Sequence, residues 1–292
     1  MPEETKLQTK GEPQNEFMDR IDSQISNFVK KGELQLPQGY SVQNSLKAAW
    51  LMIMETETKA GEQALVKCTK TSIYNALLNT AIQGLNPAKG QCYYIMYGKK
   101  LTMLRSFAGT AAVTMRVAKL QKPPAAQVIY EGDTLEYEII NGIVKNISHK
   151  QKFGNIDETK IKGAYCTLTL EDGADYSQIM TLDEIHSSWS FGQTKGTSPA
   201  HTKTPGEMCK KTVITRTCKM LLRASNDEDV LSNSFFNSDD DAEEARVNAE
   251  VEENANKIPL YVENYEVDPE TGEATEDEGS PPPVSRPEGA RF

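Results

Sequence analysis

Between Glu62 and Glu131 the chain runs for 68 residues with nine Lys or Arg side chains and not one Asp or Glu. Sequence-independent nucleic-acid binding rests on cations that neutralise phosphates, and a nearby carboxylate would oppose it. A segment of this length without carboxylates therefore reads as a polyanion-binding surface. The formal net charge of −10 conceals it. Residues 1–225 hold 28 basic and 22 acidic side chains, net +6, whereas residues 226–292 hold 4 basic and 20 acidic, net −16. A second basic stretch lies between Ile185 and Asn226, where Lys195, Lys203, Lys210, Lys211, Arg216, Lys219 and Arg223 are accompanied by Glu207 alone. This division predicts a binding body at 16–225, preceded by a disordered stretch at 1–15 and followed by an acidic, largely disordered tail at 226–292.

The body is long enough to bury a sizeable core as one domain. No apolar run approaches the ~18 residues of a membrane span. The polar N-terminus is unlike a secretory signal. Five cysteines without a Cys-x-x-Cys pair fit reduced thiols in a cytosolic compartment.

Phe17, Ile21, Ile25, Phe28 and Val29 recur at helical spacing and predict an amphipathic helix over 16–31, docked on the body or on another subunit. Ser41 caps a helix reaching about residue 57, with Leu46, Ala49, Trp50 and Ile53 inward. A third helix over 72–83 ends at Gly84, with Leu85 as the apolar partner of a glycine stop. Segments 91–97 and 100–105 read as strands around Gly98-Lys99, a basic-tipped hairpin. Ser106 caps a helix to about residue 121. Strands follow at 127–130, 134–140, 143–150, 162–170 and 176–180, with Asn141-Gly142 as a hairpin turn and Thr181 to Glu184 as a capping box. A loop at 192–205 precedes a last helix over 206–223. This order predicts an α+β fold, a central antiparallel meander and hairpin with flanking helices.

On the last helix, Thr212, Arg216, Lys219 and Arg223 fall within one arc of about 60° at ~100° per residue. Val213, Ile214, Met220 and Leu221 are assigned to the opposite, buried side. An ordinary solvated face competes with a binding reading, but apart from Glu207 at its start the ridge lacks the acidic i±4 partners that would neutralise it. The helix over 107–121 repeats the design, with Val113, Val117 and Leu120 inward and Arg116 and Lys119 outward beside Ala108 and Ala112. The hairpin adds Lys99, Lys100 and Arg105 to Tyr93, Tyr94, Tyr97 and Phe107. Interleaved rings and cations suit unpaired nucleic acid, whose bases stack while its phosphates are tracked. Strand alternation assigns two of these four rings to the core.

Enzyme signatures are scarce. Gly98-Lys99-Lys100 lacks the upstream glycine and the hydroxyl of a phosphate loop. His149, His186 and His201 stand apart, with no Cys or carboxylate at metal-ligand spacing. Asp239-Asp240-Asp241 reads as a solvated acidic run, and Glu131, Asp133, Asp157 and Asp172 fall in turns. Beside a nucleic-acid-binding surface, two readings stay open: a metal-dependent nuclease using acids of the β region, and a non-catalytic protein that coats single-stranded DNA.

Gly84-Leu85-Asn86-Pro87, then Cys92 through Lys99, then Ser106-Phe107-Ala108-Gly109 and Arg116 resemble the central block of the RecT-type phage recombinases. So do Tyr130-Glu131-Gly132-Asp133 and the segment from Glu207 to Leu221 that carries Lys210, Lys211, Thr212, Arg216 and Lys219. The likeness covers roughly residues 70–222. It departs at Phe107-Ala108-Gly109, where the family often has Tyr-Arg/Lys-Gly, and at Thr215-Arg216, where it often has paired arginines. The resemblance implies an ATP-independent single-strand annealing protein that binds single-stranded DNA, pairs complementary strands into an annealed duplex and forms rings or helical filaments. A phage exonuclease and the host single-strand-binding protein are the partners it implies, in the cytoplasm of a bacterial host. No cofactor is required, with Mg²⁺ open as an accessory ion.

Together these readings predict a groove lined by the hairpin 91–105 and the helices 107–121 and 206–223. Lys99, Lys100, Arg105, Arg116, Lys119, Lys210, Lys211, Arg216, Lys219 and Arg223 would neutralise phosphates, and Tyr94, Tyr97 and Phe107 would meet bases. The helices at 16–31 and 41–57 are the candidates for subunit contacts. The tail either competes with DNA for the groove, recruits partners or aids solubility.

Overall fold

A computed structural model describes residues 14–58, 60–192, 194–223, 231, 234–239, 243 and 245, with the backbone of 266–267 and 274–275. Of the disorder expected at 1–15, residues 1–13 lie outside the described residues and 14–15 instead begin a helix, while most of the acidic tail also lies outside the described residues. Helices α1 (Gln14–Lys30), α2 (Val42–Glu55), the single turn α3 (Ala64–Lys67) and α4 (Lys70–Ile82) make a helical part. Phe17 of α1 packs on Trp50 and Tyr74, with ring centroids 6.2 and 5.5 Å away. Ile21 and Ile25 are buried beside it, so this helix docks on its own body.

Ser41 caps α2 by accepting from the Asn44 N–H. Thr69, a cap the sequence reading passed over, starts α4 a little early by accepting from Ser72. The glycine stop is as expected. Gly84 has φ +56°, its N–H reaches the Ala81 carbonyl and that of Leu85 reaches Thr80, while the Leu85 side chain is buried.

Strands β1 (Cys92–Tyr97) and β2 (Lys100–Arg105) pair antiparallel and lie along α4. At the start of α4 the Lys99 carbonyl accepts from Thr69 N–H at 2.9 Å, and at its end Arg105 donates to the Gln83 side chain at 2.8 Å. The hairpin tip and Arg105 are thus about one α4 length apart, roughly 20 Å. Helix α5 (Phe107–Val117) is capped by Ser106. It stops before residue 121 because Lys119 adopts φ +47° and Leu120 N–H reaches the Met115 carbonyl. The same closure therefore forms with lysine in the glycine position.

Strands β3 (Ala125–Tyr130), β4 (Thr134–Ile140), β5 (Ile143–Lys150), β6 (Ile161–Thr169) and β7 (Asp175–Thr181) form one antiparallel sheet. Asn141 and Gly142, at φ +53° and +79°, supply the two left-handed positions of the β4–β5 turn. The α+β class is as read. The strand order, β3-β6-β7-β5-β4, departs from a simple meander because β6 and β7 come between β3 and β5.

Helix α6 (Leu182–Ser190) opens on the Thr181–Glu184 capping box, and α7 (Pro199–Lys203) is a short helix within the segment read as loop. Helix α8 (Pro205–Arg223) packs Cys209, Val213 and Cys218 against Val128, Cys166 and Leu168 of the sheet. Its start is anchored by Glu158, which accepts from Gly206 N–H at 2.7 Å, a carboxylate where the helix dipole favours one.

Two buried clusters result. One joins α1, α2, α4 and the β1–β2 hairpin, the other joins the sheet to α6 and α8, and α5 touches both through Val113 and Met115. The first also takes in Leu231 and Phe235, and residues 234–239 are helical. The boundary expected at 226 therefore falls inside the folded body. Leu231, Ser234, Phe235 and Ser238 are buried at helical spacing, a signal that the surrounding acidic residues obscured. A second compact unit, Glu250–Phe292, contains the paired two-residue strands β8 (Glu266–Val267) and β9 (Ala274–Thr275).

Candidate nucleic-acid interface

A groove of about 650 Å³ follows α8, lined by Trp189, Met208, Lys211, Arg216, Lys219 and Arg223 among others. Arg216 and Arg223 are exposed. Among the described residues no carboxylate lies within ion-pair distance of Lys211, Arg216 or Arg223. The buried line of α8 is Cys209, Val213, Thr217, Cys218 and Leu222. Met220, expected inside, is instead exposed beside the cations, because it follows Lys219 by only ~100° around the helix. Lys210 is held by Glu207 at 3.1 Å. Lys211 sits 5.5 Å from the Phe107 ring, which is itself exposed, so the start of α5 joins the α8 face.

Sequence reasoning missed Trp189. It stands in the second basic stretch, and the rule of interleaved rings and cations was applied to the hairpin alone. Its indole N–H donates to Thr212 Oγ1 at 2.7 Å, and His201 meets the ring edge-on with centroids 4.6 Å apart. The ring is thereby fixed at the groove wall.

Other expected contacts turn inward. The Arg105 side chain is 2% exposed, and its guanidinium stacks on Phe235 with 3.5 Å to the ring centroid. It donates to Gln83, the Phe235 carbonyl and Ser238 Oγ at 2.8, 2.9 and 2.6 Å, and it pairs with Asp239. Burial lowers its pKa to about 10 against the opposing pull of Asp239, so it stays charged at neutral pH.

Arg116 reaches back to donate to the Gln83 carbonyl, a cation at the end of α4 where the dipole favours one. Tyr94 is buried with its hydroxyl 2.8 Å from that of Thr80. Arg105, Arg116 and Tyr94 are therefore corrected from open contacts to internal ones, because protein groups meet Arg105 Nη1 and Nη2, Arg116 Nη2 and the Tyr94 hydroxyl. Lys99 is exposed and Lys100 and Tyr97 are half-buried at the hairpin tip, which the structure does not bring to Arg105. Lys119 lies 3.9 Å from Glu171 with both exposed, a pair of little energetic weight. Asp239, expected in a solvated run, instead pairs with both Arg105 and Lys219.

The motif residues mostly build scaffold. Gly109 lets α5 approach the hairpin base: a Cβ there would stand 2.0 Å from the Gln91 carbonyl oxygen. Ser106 donates to the Gly90 carbonyl, and the Asn86 N–H donates to the Gln91 side chain. Leu85 offers its carbonyl to Tyr40 and Ser45. This knot fixes where α5 starts, and with it Phe107.

The model of the RecT family matches residues 43–257, a span that includes the knot, the α8 groove and Asp239. The chain belongs to the RecT family. The family is one of phage-type recombination and annealing proteins. No curated protein matches the chain. In this RecT-family protein several acids of the β region make contacts within the fold. Asp133 accepts from Tyr130 N–H, Gln151, Asn155 and His149 at 2.9 to 3.1 Å. Burial raises the Asp133 pKa, but these bonds outweigh it and hold the carboxyl at about 2. Asp157 and Asp172 accept from backbone N–H groups of their own turns. Among the described residues no group of three His, Cys, Asp or Glu could hold a metal ion, and no helix is long and apolar enough to cross a membrane.

Proposed function

We propose that this RecT-family protein binds single-stranded DNA along α8 and anneals complementary strands without ATP and without a covalent step. The observation that carries this reading is the α8 ridge, where Lys211, Arg216 and Arg223 lack a carboxylate partner among the described residues and share a groove with Trp189. Cations of this kind neutralise phosphates, while Trp189 and Phe107 offer surfaces to bases. Strands held neutralised and in register lose less entropy and repel less on pairing, so acceleration is positional.

Copies assemble along the strand in this reading, as a ring or a filament. Leu51 and Met54 of α2, Val66 of α3 and Ile139 of β4 leave apolar surface for such contacts, at 61%, 48%, 67% and 67% exposure. A phage exonuclease and the host single-strand-binding protein are the proposed partners in the bacterial cytoplasm, and Mg²⁺ is at most accessory.

The test mixes complementary oligonucleotides with the protein, without ATP, and follows duplex formation and strand length together. Faster pairing of intact strands, weakened steeply by salt, is the expected result. Pairing at the spontaneous rate overturns the reading, and shortened strands in the presence of Mg²⁺ would favour a nuclease.

A further inference from the structure

We propose that the Asp239 carboxylate occupies a phosphate subsite made by Arg105 and Lys219, and that an incoming DNA strand displaces it. The inference rests on the proposed function and names a subsite and a gate within it. The two oxygens of Asp239 are divided: Oδ1 takes the Arg105 guanidinium and Oδ2 takes Lys219 Nζ at 2.8 Å. Arg105 ends β2 and Lys219 stands on α8, so one carboxylate joins the two elements expected to form opposite halves of a groove.

A planar fork and an ammonium converging on one oxyanion are the donors that bind a phosphodiester, and Asp239 presents the same charge to them. The site also continues the open groove. Lys219 lines the groove with Arg216 and Arg223, and all three lie on one arc of α8. A strand tracked along Arg223 and Arg216 meets, at Lys219, a cation that the chain has already filled.

The carboxylate is seated by a short stretch of chain. Gln83 donates to Ser234 and Ser238, and Phe235 lies beneath the Arg105 guanidinium. Both ionic partners at the outer end remain partly open, with the Lys219 side chain 37% and that of Asp239 31% exposed. A tethered anion competes at high effective concentration. An isolated phosphate is excluded on this account, whereas a strand already held by several α8 cations displaces the carboxylate. Lys219 is taken first. Arg105 follows when residues 234–239 lift.

The full-length protein and Asp239→Asn are compared by anisotropy of a labelled oligothymidylate across a salt series, with Glu136→Gln on the exposed face of β4 as the control for charge alone. Asp239→Asn should bind about fivefold more tightly at low salt. Its log–log salt slope should steepen by about one. Glu136→Gln should match the wild type.

Equal affinity of Asp239→Asn and wild type, or an equal gain from Glu136→Gln, overturns the subsite while leaving the proposed function standing. No binding by any of the three at low salt sinks both. Hydrogen exchange on the wild type asks the same question without a substitution. Amides of residues 234–239 should exchange faster when oligothymidylate is bound, and unchanged or slower exchange overturns displacement.

Discussion

Arg105 and Arg116 on one side, and Arg216 and Arg223 on the other, are the same side chain set to opposite tasks. The first pair converges on Gln83, one arginine taking its side chain and the other its carbonyl, at the end of α4. The second pair stands on the outer face of α8, beyond ion-pair reach of any described carboxylate. What differs is the company supplied by the fold. A guanidinium beside a helix end, a buried amide and a tail carboxylate is engaged by the chain in the free protein. One on a ridge whose helix carries a single acid, Glu207, spent on Lys210, remains available to phosphate.

The widest break in that comparison comes from Arg105→Ala. It would leave Asp239 Oδ1 and the Gln83 side-chain oxygen without their Arg105 partner and expose the underside of Phe235, so stability should fall by about 3–5 kcal/mol in urea titration. A loss under ~1 kcal/mol would move Arg105 into the open set. Replacing Arg216 and Arg223 together by alanine should invert the pattern. Stability should stay within about 0.5 kcal/mol, while affinity for single strands of every sequence should drop about tenfold and the salt slope become shallower by about two. Sequence-dependent losses would instead place these arginines on base edges.

The smallest effect concerns the sheet alone. Asp133 is held at about 2 in the fold against an ordinary 3.8, so its stabilisation is present above pH 3.8 and lost as the pH falls towards 2. Asp133→Asn should flatten that acid limb of the stability curve while leaving DNA affinity unchanged.

Local structure was largely legible. Ser41, Ser106, Gly84, Asn141-Gly142 and the Thr181–Glu184 box act where their chemistry places them, because caps and turns depend on residues only a few positions apart. The α8 ridge was legible for the same reason. Met220 was misplaced at the margin of a helical face, where a few tens of degrees decide exposure. The end of α5 was missed because Lys119 does the work usually given to glycine. Trp189 and the buried face made by Leu231, Ser234, Phe235 and Ser238 were hidden for a different reason. One sat in a stretch read only for charge, the other in a tail read only for acidity.

Sequence alone determined the charge division of this protein, its α+β elements and its membership in the RecT family. It could not determine which cations remain open. A count of Lys and Arg is a property of composition, but neutralisation depends on distance in space, and Arg105 meets Asp239 across more than a hundred residues of chain. Only the tertiary structure, by bringing Leu231 and residues 234–239 against the folded body, decided that Arg105 and Lys219 are met by a carboxylate of the chain itself.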